Sequence, residues 1–303
     1  MKVLILNGNG FIGSQLAECL LTAGHQVDVY HRSPVQNIDR DGLRHIAGDR
    51  DSDFSALGGQ SWDCTFDLGA LNPSRVTTLA ENGITQWGHY VLISSTEVYE
   101  PPTRYGFKES SILRQSDRAF GNQLGNYGYR KMLCEFESAI FPLRTIIRPT
   151  YVIGRSDPTS RFNRWVARIC DGGDVVIPNP SNLPFQAVDV RDVALFLASV
   201  ATNSTEGVFQ LTAPFPPINF VDALIAIRDY AGKGNVFVGR PISELMDSGA
   251  RPSDLPLWPG WNERQSEESG DPSLAMSVGF TPRPFEESIA WLVDGYYEGS
   301  TFI

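Results

Sequence analysis

The sequence predicts an α/β fold with a doubly wound parallel sheet and a smaller C-terminal lobe that is interleaved with it. The first half of the 303 residues alternates short β-branched runs with helical stretches, as parallel strand–helix–strand units require. A glycine-rich turn lies between the first strand and the first helix. Hydrophobic residues make up 42% of the chain and charged residues 20%, which is enough apolar material for a large core.

Each element of the sheet is predicted by a short pattern. The runs "KVLIL" and "QVDVYH" predict strands, and between them "IGSQLAECLLTAG" predicts a helix that Gly24 closes. Further strands are predicted by "CTFDLGA", "HYVLISS" and "LRTIIRP". Near-continuous apolar runs such as Val91 to Ile93 suit strands that helices cover on both faces. We therefore expect these strands side by side in one twisted sheet.

The composition of the chain changes after Arg148, where Pro and Gly residues interrupt the alternation of predicted strands and helices. We predict a first domain over residues 1–155. Most of residues 156–303 are predicted to form a second lobe that selects the ligand. The stretches "FQAVDVRDVALFLASVA" and "GVFQLT" predict that residues of about 184–212 return to the sheet. Residues 250–273, which include Trp258 and Trp261, are predicted to form a loop that either overhangs a cleft or packs on the surface.

Charge and cysteine spacing exclude several classes of protein. The formal net charge of −10 opposes binding to a phosphate backbone, so we expect no nucleic-acid partner. The apolar run Val3 to Leu6 is too short for a secretory signal, and no run reaches the roughly 18 apolar residues that cross a bilayer. We expect a cytoplasmic protein with no membrane partner. The four cysteines lack metal-ligand spacing, which predicts small buried side chains and no metal site.

The turn "LNGNGFIGSQ" predicts a binding site for a dinucleotide. It places Gly8, Gly10 and Gly13 in a G-x-G-x-x-G pattern, with Phe11 and Ile12 between the last two glycines. Such glycines let the backbone approach a pyrophosphate, and the free amides at the start of the helix favour negative charge. A tight structural turn would also use glycine, so the position between a strand and a helix is what favours the dinucleotide.

The end of the second strand bears on the choice between NAD(H) and NADP(H). NAD enzymes usually place a carboxylate there, which receives the ribose hydroxyls. This chain has His31 and Arg32 instead, and an arginine can pair with a 2'-phosphate. We therefore expect NADP(H) to be preferred. NAD(H) stays the alternative if Arg32 is only a solvated loop residue.

A tyrosine and a lysine are spaced to act together in "NYGYRK". Tyr127 and Lys131 are four residues apart, so a helix would place both on one face. A nearby ammonium would stabilise a phenolate and lower the pKa of the phenol toward a useful range. The predicted strand "HYVLISS" ends at Ser94, Ser95 and Thr96, where parallel sheets place reactive groups. A decorated helix surface is the alternative interpretation of the pair.

Taken together, these motifs resemble the extended short-chain dehydrogenase/reductases, often labelled the NAD-dependent epimerase/dehydratase family. The matching segments are "NGNGFIGS", "GD" at Gly48 and Asp49, "ISSTEVY", "YGYRK", "RPTYVIG" and "VDVRDVA", in the family's order over about 200 residues. The resemblance implies a Rossmann-type sheet and a catalytic set of Ser95, Tyr127 and Lys131, with Ser95 chosen by the "S-x-x-V-Y" pattern. It also implies that Lys131 holds the nicotinamide ribose and that Asp49 faces the adenine.

Several positions depart from the family's pattern. Asn7 stands where the family usually has the first glycine of its turn. Tyr151 and Phe185 stand where relatives that act on nucleotide sugars have an Asn and a diphosphate-binding Arg. Aromatic side chains at both places predict a different and less charged substrate. Glu97 matches a dehydratase acid, but Thr96 replaces the acidic residue beside it.

A further segment, "GRSDPTSRF", has two possible roles. Its charged residues Arg155, Asp157 and Arg161 either line the substrate cleft or form salt links on the surface. The sequence does not separate these alternatives.

Three functional hypotheses follow. The first is an NADP(H)-dependent oxidoreductase that transfers hydride to or from a carbonyl or secondary alcohol of a small molecule. The second keeps the same residues in an epimerase or dehydratase that acts on a sugar or nucleotide sugar with tightly held NAD(P). The third is a non-catalytic NAD(P)-binding sensor or an RNA-binding relative. The family often forms dimers, which makes a homodimer a further expectation.

Overall fold

The computed structural model describes residues 1–32, 41–50, 54–81, 87–100, 105–115, 125–261 and 269–299. Its strands, in chain order, are β1 (Lys2–Leu6), β2 (Gln26–His31), β3 (Leu43–Ala47), β4 (Cys64–Asp67), β5 (His89–Ile93), β6 (Tyr105–Phe107), β7 (Arg144–Pro149), β8 (Tyr151–Ile153), β9 (Val175–Asn179), β10 (Pro184–Phe185), β11 (Ala187–Asp189), β12 (Gly207–Leu211), β13 (Ile218–Asn219), β14 (Phe237–Pro241) and β15 (Ser269–Gly270). Its helices are α1 (Phe11–Thr22), α2 (Pro73–Glu81), α3 (Gly125–Glu137), α4 (Asn163–Asp171), α5 (Val190–Asn203), α6 (Phe220–Tyr230), α7 (Ile242–Asp247), α8 (Ser273–Ser277) and α9 (Phe285–Tyr297).

A seven-stranded parallel sheet forms the centre of the molecule. Its spatial order is β12-β7-β5-β4-β1-β2-β3, and every neighbouring pair is parallel. The chain builds outward from β1 in one direction and then, from β4 onward, in the other. Ligands of such sheets bind beyond the carboxyl ends of the strands at the point where this order reverses, which here lies between β1 and β4. The predicted α/β class and doubly wound sheet are confirmed.

Helices cover both faces of the sheet and close two apolar layers. On one face α1 packs against α5, and on the other α2 packs against α3. The strands are nearly free of solvent, as in β5, where all five residues are buried. Full burial of one such aliphatic side chain stabilises the fold by about 1.5–3 kcal/mol. The two layers give the sheet's carboxyl edge a rigid base.

The C-terminal lobe has its own core. Helices α4, α6 and α9 pack against one another, with short strand pairs β9–β14 and β10–β13 beside them. Between these segments the chain returns to the sheet through α5 and β12. Asp189 links the two parts, because its carboxylate caps α5 at the Arg191 amide (2.8 Å) and accepts a hydrogen bond from Ser288 of α9 (2.8 Å). The lobe is therefore anchored to the helix that follows β11.

The described part of the predicted loop over residues 250–273 reaches the cavity, as one of the two expectations had it, and otherwise packs into the lobe core instead of on the surface. Trp258 is buried in the lobe core, and its indole N–H donates to the Pro180 carbonyl at 2.9 Å. Pro259, the next residue, lines the cavity described below. Residues 262–268 lie outside the described residues. Within the part of the chain that the structure describes, no helix is long and apolar enough to cross a membrane.

Candidate active site

A cavity of about 560 Å³ lies at the carboxyl edge of the sheet, beneath the C-terminal lobe. Its sheet side is formed by residues that follow β1, β4, β5 and β7, so it occupies the place where the strand order reverses. Its lobe side combines aromatic rings and prolines with charged and polar side chains. Lining residues include Asn7, Gly10–Gly13, Ser94–Glu97, Phe107, Tyr127, Lys131, Tyr151, Asp157–Thr159, Arg161 and Pro184–Gln186.

The three glycines of the first turn occupy three different environments. A Cβ on Gly8 would lie 2.8 Å from Ile5, and one on Gly13 would lie 2.4 Å from the Gly8 carbonyl oxygen, so both positions are packed tightly. A Cβ on Gly10 would meet only the Asn7 carbonyl oxygen, at 3.7 Å. Gly10 is also the N-cap of α1, without a side chain that caps the helix amides. The turn therefore leaves an open backbone surface at the start of α1.

The predicted pair and the predicted hydroxyl meet in the cavity. Ser95 follows β5, and Tyr127 and Lys131 lie one turn apart on α3. The Ser95 hydroxyl lies close enough to the Tyr127 phenol to lower the pKa of the phenol. The Lys131 ammonium lies 5.9 Å from the centre of the Tyr127 ring and donates to the Ile93 carbonyl at 2.8 Å. The alternative interpretation, in which the pair only belongs to an exposed helix surface, does not fit this arrangement, because Lys131 is buried.

The protonation of Tyr127 differs from the expectation. The pKa of the phenol lies above its ordinary value, chiefly because the side chain is buried and then because of the negative charge of Glu97. The neighbouring Ser95 hydroxyl and the charge of Arg161 act in the opposite direction. Lys131 does not produce the expected lowering, and its own charged form is disfavoured by burial, which lowers its pKa to about 8. The arrangement favours a protonated phenol at neutral pH.

A buried charged cluster lies beneath Lys131. Arg50 donates to the Asp67 carboxylate through Nε at 2.9 Å and through Nη2, and the Tyr90 hydroxyl donates to the same carboxylate at 2.7 Å. The Arg50 charge lowers the pKa of Asp67 although complete burial would raise it. The Asp67 charge in turn raises the pKa of Lys131 against the dominant effect of burial. The cluster therefore keeps a negative charge below the lysine.

The segment after β5 brings a carboxyl group into the cavity. Residues Thr96–Val98 form a single 3-10 turn, in which the Ser95 hydroxyl accepts from the Glu97 amide at 3.2 Å. Burial raises the pKa of Glu97, although the Arg114 guanidinium, 3.3 Å away, lowers it. Arg114 also donates to the Glu97 carbonyl at 2.6 Å. Thr96 and Glu97 thus both line the cavity, and the Glu97 carboxyl is held beside Tyr127.

The cofactor residues predicted on the second and third strands lie at the same edge of the sheet, outside the cavity. His31 and Ala47 are register partners on β2 and β3, so Arg32 and Asp49 follow neighbouring strand ends. His31 is buried, with its Nε2 atom 3.0 Å from Nδ1 of His45. Arg32 is exposed. The structure therefore leaves Arg32, and not the His31 ring, open to a ligand at this strand end.

The predicted substrate residues fall into two groups. Tyr151, Phe185, Asp157 and Arg161 line the cavity. Arg155 does not, because it donates to the Trp291 carbonyl at 2.7 Å and to Glu298 at 2.6 Å near the surface. Both alternatives for the charged segment are thus realised, one by Asp157 and Arg161 and the other by Arg155.

Sequence reasoning left several of the lining residues unassigned, and the Ser94 hydroxyl is the most informative of them. The Ser94 hydroxyl is buried and has no hydrogen-bond partner among the described residues. Buried hydroxyls normally have a partner, so this group is suited to a polar ligand. Its signal was the serine pair at the end of "HYVLISS", where only Ser95 matched a motif.

Comparisons with known proteins agree with this architecture. No protein-family model matches the chain. Among curated proteins, chloroplast stem-loop binding protein of 41 kDa b from Arabidopsis thaliana is 27% identical over 221 residues, which are 67% of this chain. The match spans 55% of the length of that relative.

Solved structures match over almost the whole chain. A putative epimerase from Burkholderia cenocepacia superposes with a TM-score of 0.74 at 15% identity, covering 97% of each chain. A human epimerase family protein with NADPH gives 0.70 at 18% identity, covering 97% of this chain and 99% of that one. A UDP-N-acetylglucosamine 4-epimerase from Methanobrevibacter ruminantium, in complex with UDP-N-acetylmuramic acid, gives 0.73 at 18% identity and covers 98% of both. At these identities the likeness shows the fold, and it is the fold that the motifs predicted.

Proposed function

We propose that the chain is an NADP(H)-dependent oxidoreductase of the extended short-chain type that acts on a carbonyl or secondary alcohol of a small molecule. The observation that carries the proposal is the meeting of Ser95, Tyr127 and Lys131 in one cavity beside the open glycine turn. A binding protein without catalysis has no need of a buried phenol, hydroxyl and ammonium together. The fold's solved examples with NADPH or NAD support the cofactor class.

The residues present fit a dinucleotide. The uncapped start of α1 and the open face of Gly10 suit a pyrophosphate, because free helix amides attract negative charge. Arg32 is exposed at the end of β2 and would pair with a 2'-phosphate, and Asp49, which follows the neighbouring strand β3, would face the adenine. Among the described residues Lys131 donates only to the Ile93 carbonyl, so two of its three N–H donors would suit ribose hydroxyls. A bound nicotinamide would supply or accept the hydride.

The protein groups would then handle the proton. Ser95 would hold the substrate oxygen through its hydroxyl, which lies close to the Tyr127 phenol. In the reducing direction Tyr127 donates its proton to that oxygen, and the raised pKa of the phenol keeps the proton in place until it is needed. In the oxidising direction Tyr127 removes the proton. Lys131, whose pKa is lowered to about 8, holds a positive charge nearby at neutral pH.

The test is the variant Tyr127→Phe. Loss of the phenolic proton should reduce turnover of NADPH with a panel of ketones and aldehydes by about 10²–10⁴-fold, because proton transfer by a positioned group contributes that factor. The dissociation constant for NADPH should stay near the wild-type value, since the ring remains. Turnover at the wild-type rate in Tyr127→Phe would rule out this mechanism.

An epimerase or dehydratase is the second candidate, and it fits the same residues equally well. It is favoured by the titles of several structures with this fold, including epimerases in complex with nucleotide sugars. It is disfavoured by Tyr151 and Phe185, which offer aromatic rings where a diphosphate needs cations. The stoichiometry separates the two: a reductase consumes one NADPH per product, and an epimerase consumes none.

RNA binding is the remaining candidate, and the name of the Arabidopsis relative is its support. The net charge of −10 opposes it, because phosphate contacts need clustered cations. A gel-shift titration with a stem-loop RNA at low salt tests it directly. A shift that weakens steeply with salt would support RNA binding, and no shift would remove this candidate.

A further inference from the structure

A single arginine faces the reacting groups from the lobe side of the cavity. Arg161 is half-buried and lines the cavity together with Tyr151 and Asp157. Its positive charge reaches both Tyr127 and Glu97, since it lowers the pKa of each against the effect of burial. The guanidinium therefore lies within electrostatic range of the atoms that would perform the chemistry.

The position of this guanidinium is set by a chain of hydrogen bonds. The Arg161 Nε atom donates to the Thr159 hydroxyl at 3.0 Å, and that hydroxyl donates to the Asp157 carboxylate at 2.7 and 2.8 Å. The Thr159 amide donates to Asp157 as well, at 2.9 Å. On its flat side the guanidinium lies 5.4 Å from the centre of the Tyr151 ring. A side chain fixed in this way loses little further entropy when it binds a ligand.

The outer nitrogens of Arg161 remain available. Only its Nε atom has a hydrogen-bond partner within the described ranges, and no described carboxylate lies within ion-pair distance of it. Of the other cations near the cavity, Arg114 pairs with Glu97 at 3.3 Å, and Lys131 donates to the Ile93 carbonyl and is assigned to the cofactor ribose. The two Nη atoms form the fork that matches the two oxygens of a carboxylate.

We propose that Arg161 is the recognition site for one carboxylate group of the substrate, so that the substrate is a hydroxy acid or oxo acid. This inference rests on the proposed function, because it places the carboxylate beyond the carbon that Ser95 and Tyr127 address. A single cation beside Glu97 fits a monoanion better than a phosphate dianion. The walls formed by Tyr151, Phe185 and Phe107 fit an apolar or aromatic body behind that group.

The test compares acids with their neutral isosteres. Phenylacetate, 3-phenylpropionate and 4-phenylbutyrate are titrated by calorimetry against their primary amides, with saturating NADPH and without it. The wild type should bind at least one acid about tenfold or more tightly than its amide, as a charge-assisted bidentate pair provides. Arg161→Gln should reduce that ratio to about one while the amide binds as before. Arg240→Gln, at an exposed arginine outside the cavity, is the matched control and should keep the wild-type ratio.

Two results would overturn the inference. One is equal binding of acid and amide throughout the panel in the wild type, and the other is an unchanged preference in Arg161→Gln. A separate titration with NADPH distinguishes failure of the proposed function, because Arg161→Gln should bind NADPH as the wild type does. If the wild type binds no NADPH, the proposed function fails, and the cofactor-free titrations still decide the carboxylate site.

Discussion

Lys131 places a buried positive charge in the cavity, and burying that charge lowers the stability of the folded protein. Its ammonium is buried, and burial lowers its pKa from 10.5 to about 8, while Asp67 acts in the opposite direction. Below a pH of about 8 the folded protein carries the charge in a place where the charged form is disfavoured. The cluster of Arg50, Asp67 and Tyr90 makes this tolerable by placing a carboxylate below the lysine. A lysine at this position therefore lowers the free energy of unfolding and places a positive charge beside the phenol.

The variant Lys131→Met should reveal this cost through its pH dependence. A folded pKa below the unfolded value means that the unfolded chain binds more protons between pH 8 and 10.5, so wild-type stability rises with pH across that window. The difference in unfolding free energy between variant and wild type should stay constant below pH 8 and shift in favour of the wild type up to pH 10.5. Denaturant unfolding at pH values from about 6 to 11 measures it.

Lys108→Met controls for the loss of one positive charge, because Lys108 is exposed, with 64% of its side chain accessible. A difference between Lys131→Met and the wild type that does not change between pH 8 and 10.5 would contradict the assigned cause.

At the residue scale, the sequence predicts functional side chains that lie in a local motif. It does not predict contacts between side chains that are far apart along the chain. Ser95, Tyr127 and Lys131 could be found because each lies in a short motif attached to a predictable strand or helix. Arg50 and Asp67 could not be paired, because 17 positions separate them and only the folded sheet brings the side chains together. The raised pKa of Tyr127 was equally hidden, since it depends on burial and on Glu97.

At the scale of elements, the sequence predicts a strand when its pattern of apolar residues is long enough to be recognised without its partner strand. Strands β1 and β5 contain continuous apolar runs, and β2 has β-branched residues at alternate positions, so their prediction needed no partner. Strand β3 was missed because it is an edge strand, whose sequence "LRHIA" is half-exposed and lacks an apolar run. The lobe's strand pairs are two to five residues long and depend on partners far along the chain, such as β9 and β14. Local pattern does not specify them.

The turn between β1 and α1 allows a prediction about two of its glycines, Gly13 and Gly10. Gly13→Ala places a Cβ 2.4 Å from the Gly8 carbonyl oxygen, so the helix must shift, and we expect a loss of about 1–3 kcal/mol in unfolding free energy. Gly10→Ala meets only the Asn7 carbonyl oxygen at 3.7 Å, so its stability should fall by less than about 1 kcal/mol. NADPH affinity should nevertheless fall in Gly10→Ala, because the methyl group occupies the open face of the turn.

Unfolding and NADPH titrations of the two variants measure both quantities, and each variant is the control for the other. Equal loss of stability in the two variants, or undiminished NADPH affinity in Gly10→Ala, would contradict the separate roles of these glycines.

For the whole molecule, the cavity joins the sheet to the lobe. The sheet domain contributes Gly10 from the first turn and Tyr127 and Lys131 from α3, and the lobe side contributes Phe185 and Pro259. Asp189 ties the same two parts together away from the cavity. A ligand that fills the cavity contacts both parts at once, and because it binds only the folded state, its binding free energy adds to the stability of the entire chain.

The last prediction uses this linkage to test the cofactor. NADPH at about 100 times its dissociation constant should stabilise the fold by about 2.7 kcal/mol, which for a chain of this length raises the unfolding midpoint by about 4 °C. NADH at the same concentration should produce a smaller shift, because it lacks the 2'-phosphate that we propose the exposed Arg32 binds. In Arg32→Ala the two shifts should become equal. Arg44→Ala is the control, since Arg44 lies within β3, away from the carboxyl edge, and pairs with Asp28. Equal shifts with NADPH and NADH in the wild type would show that Arg32 does not select the cofactor, whereas no shift with either would remove the dinucleotide itself.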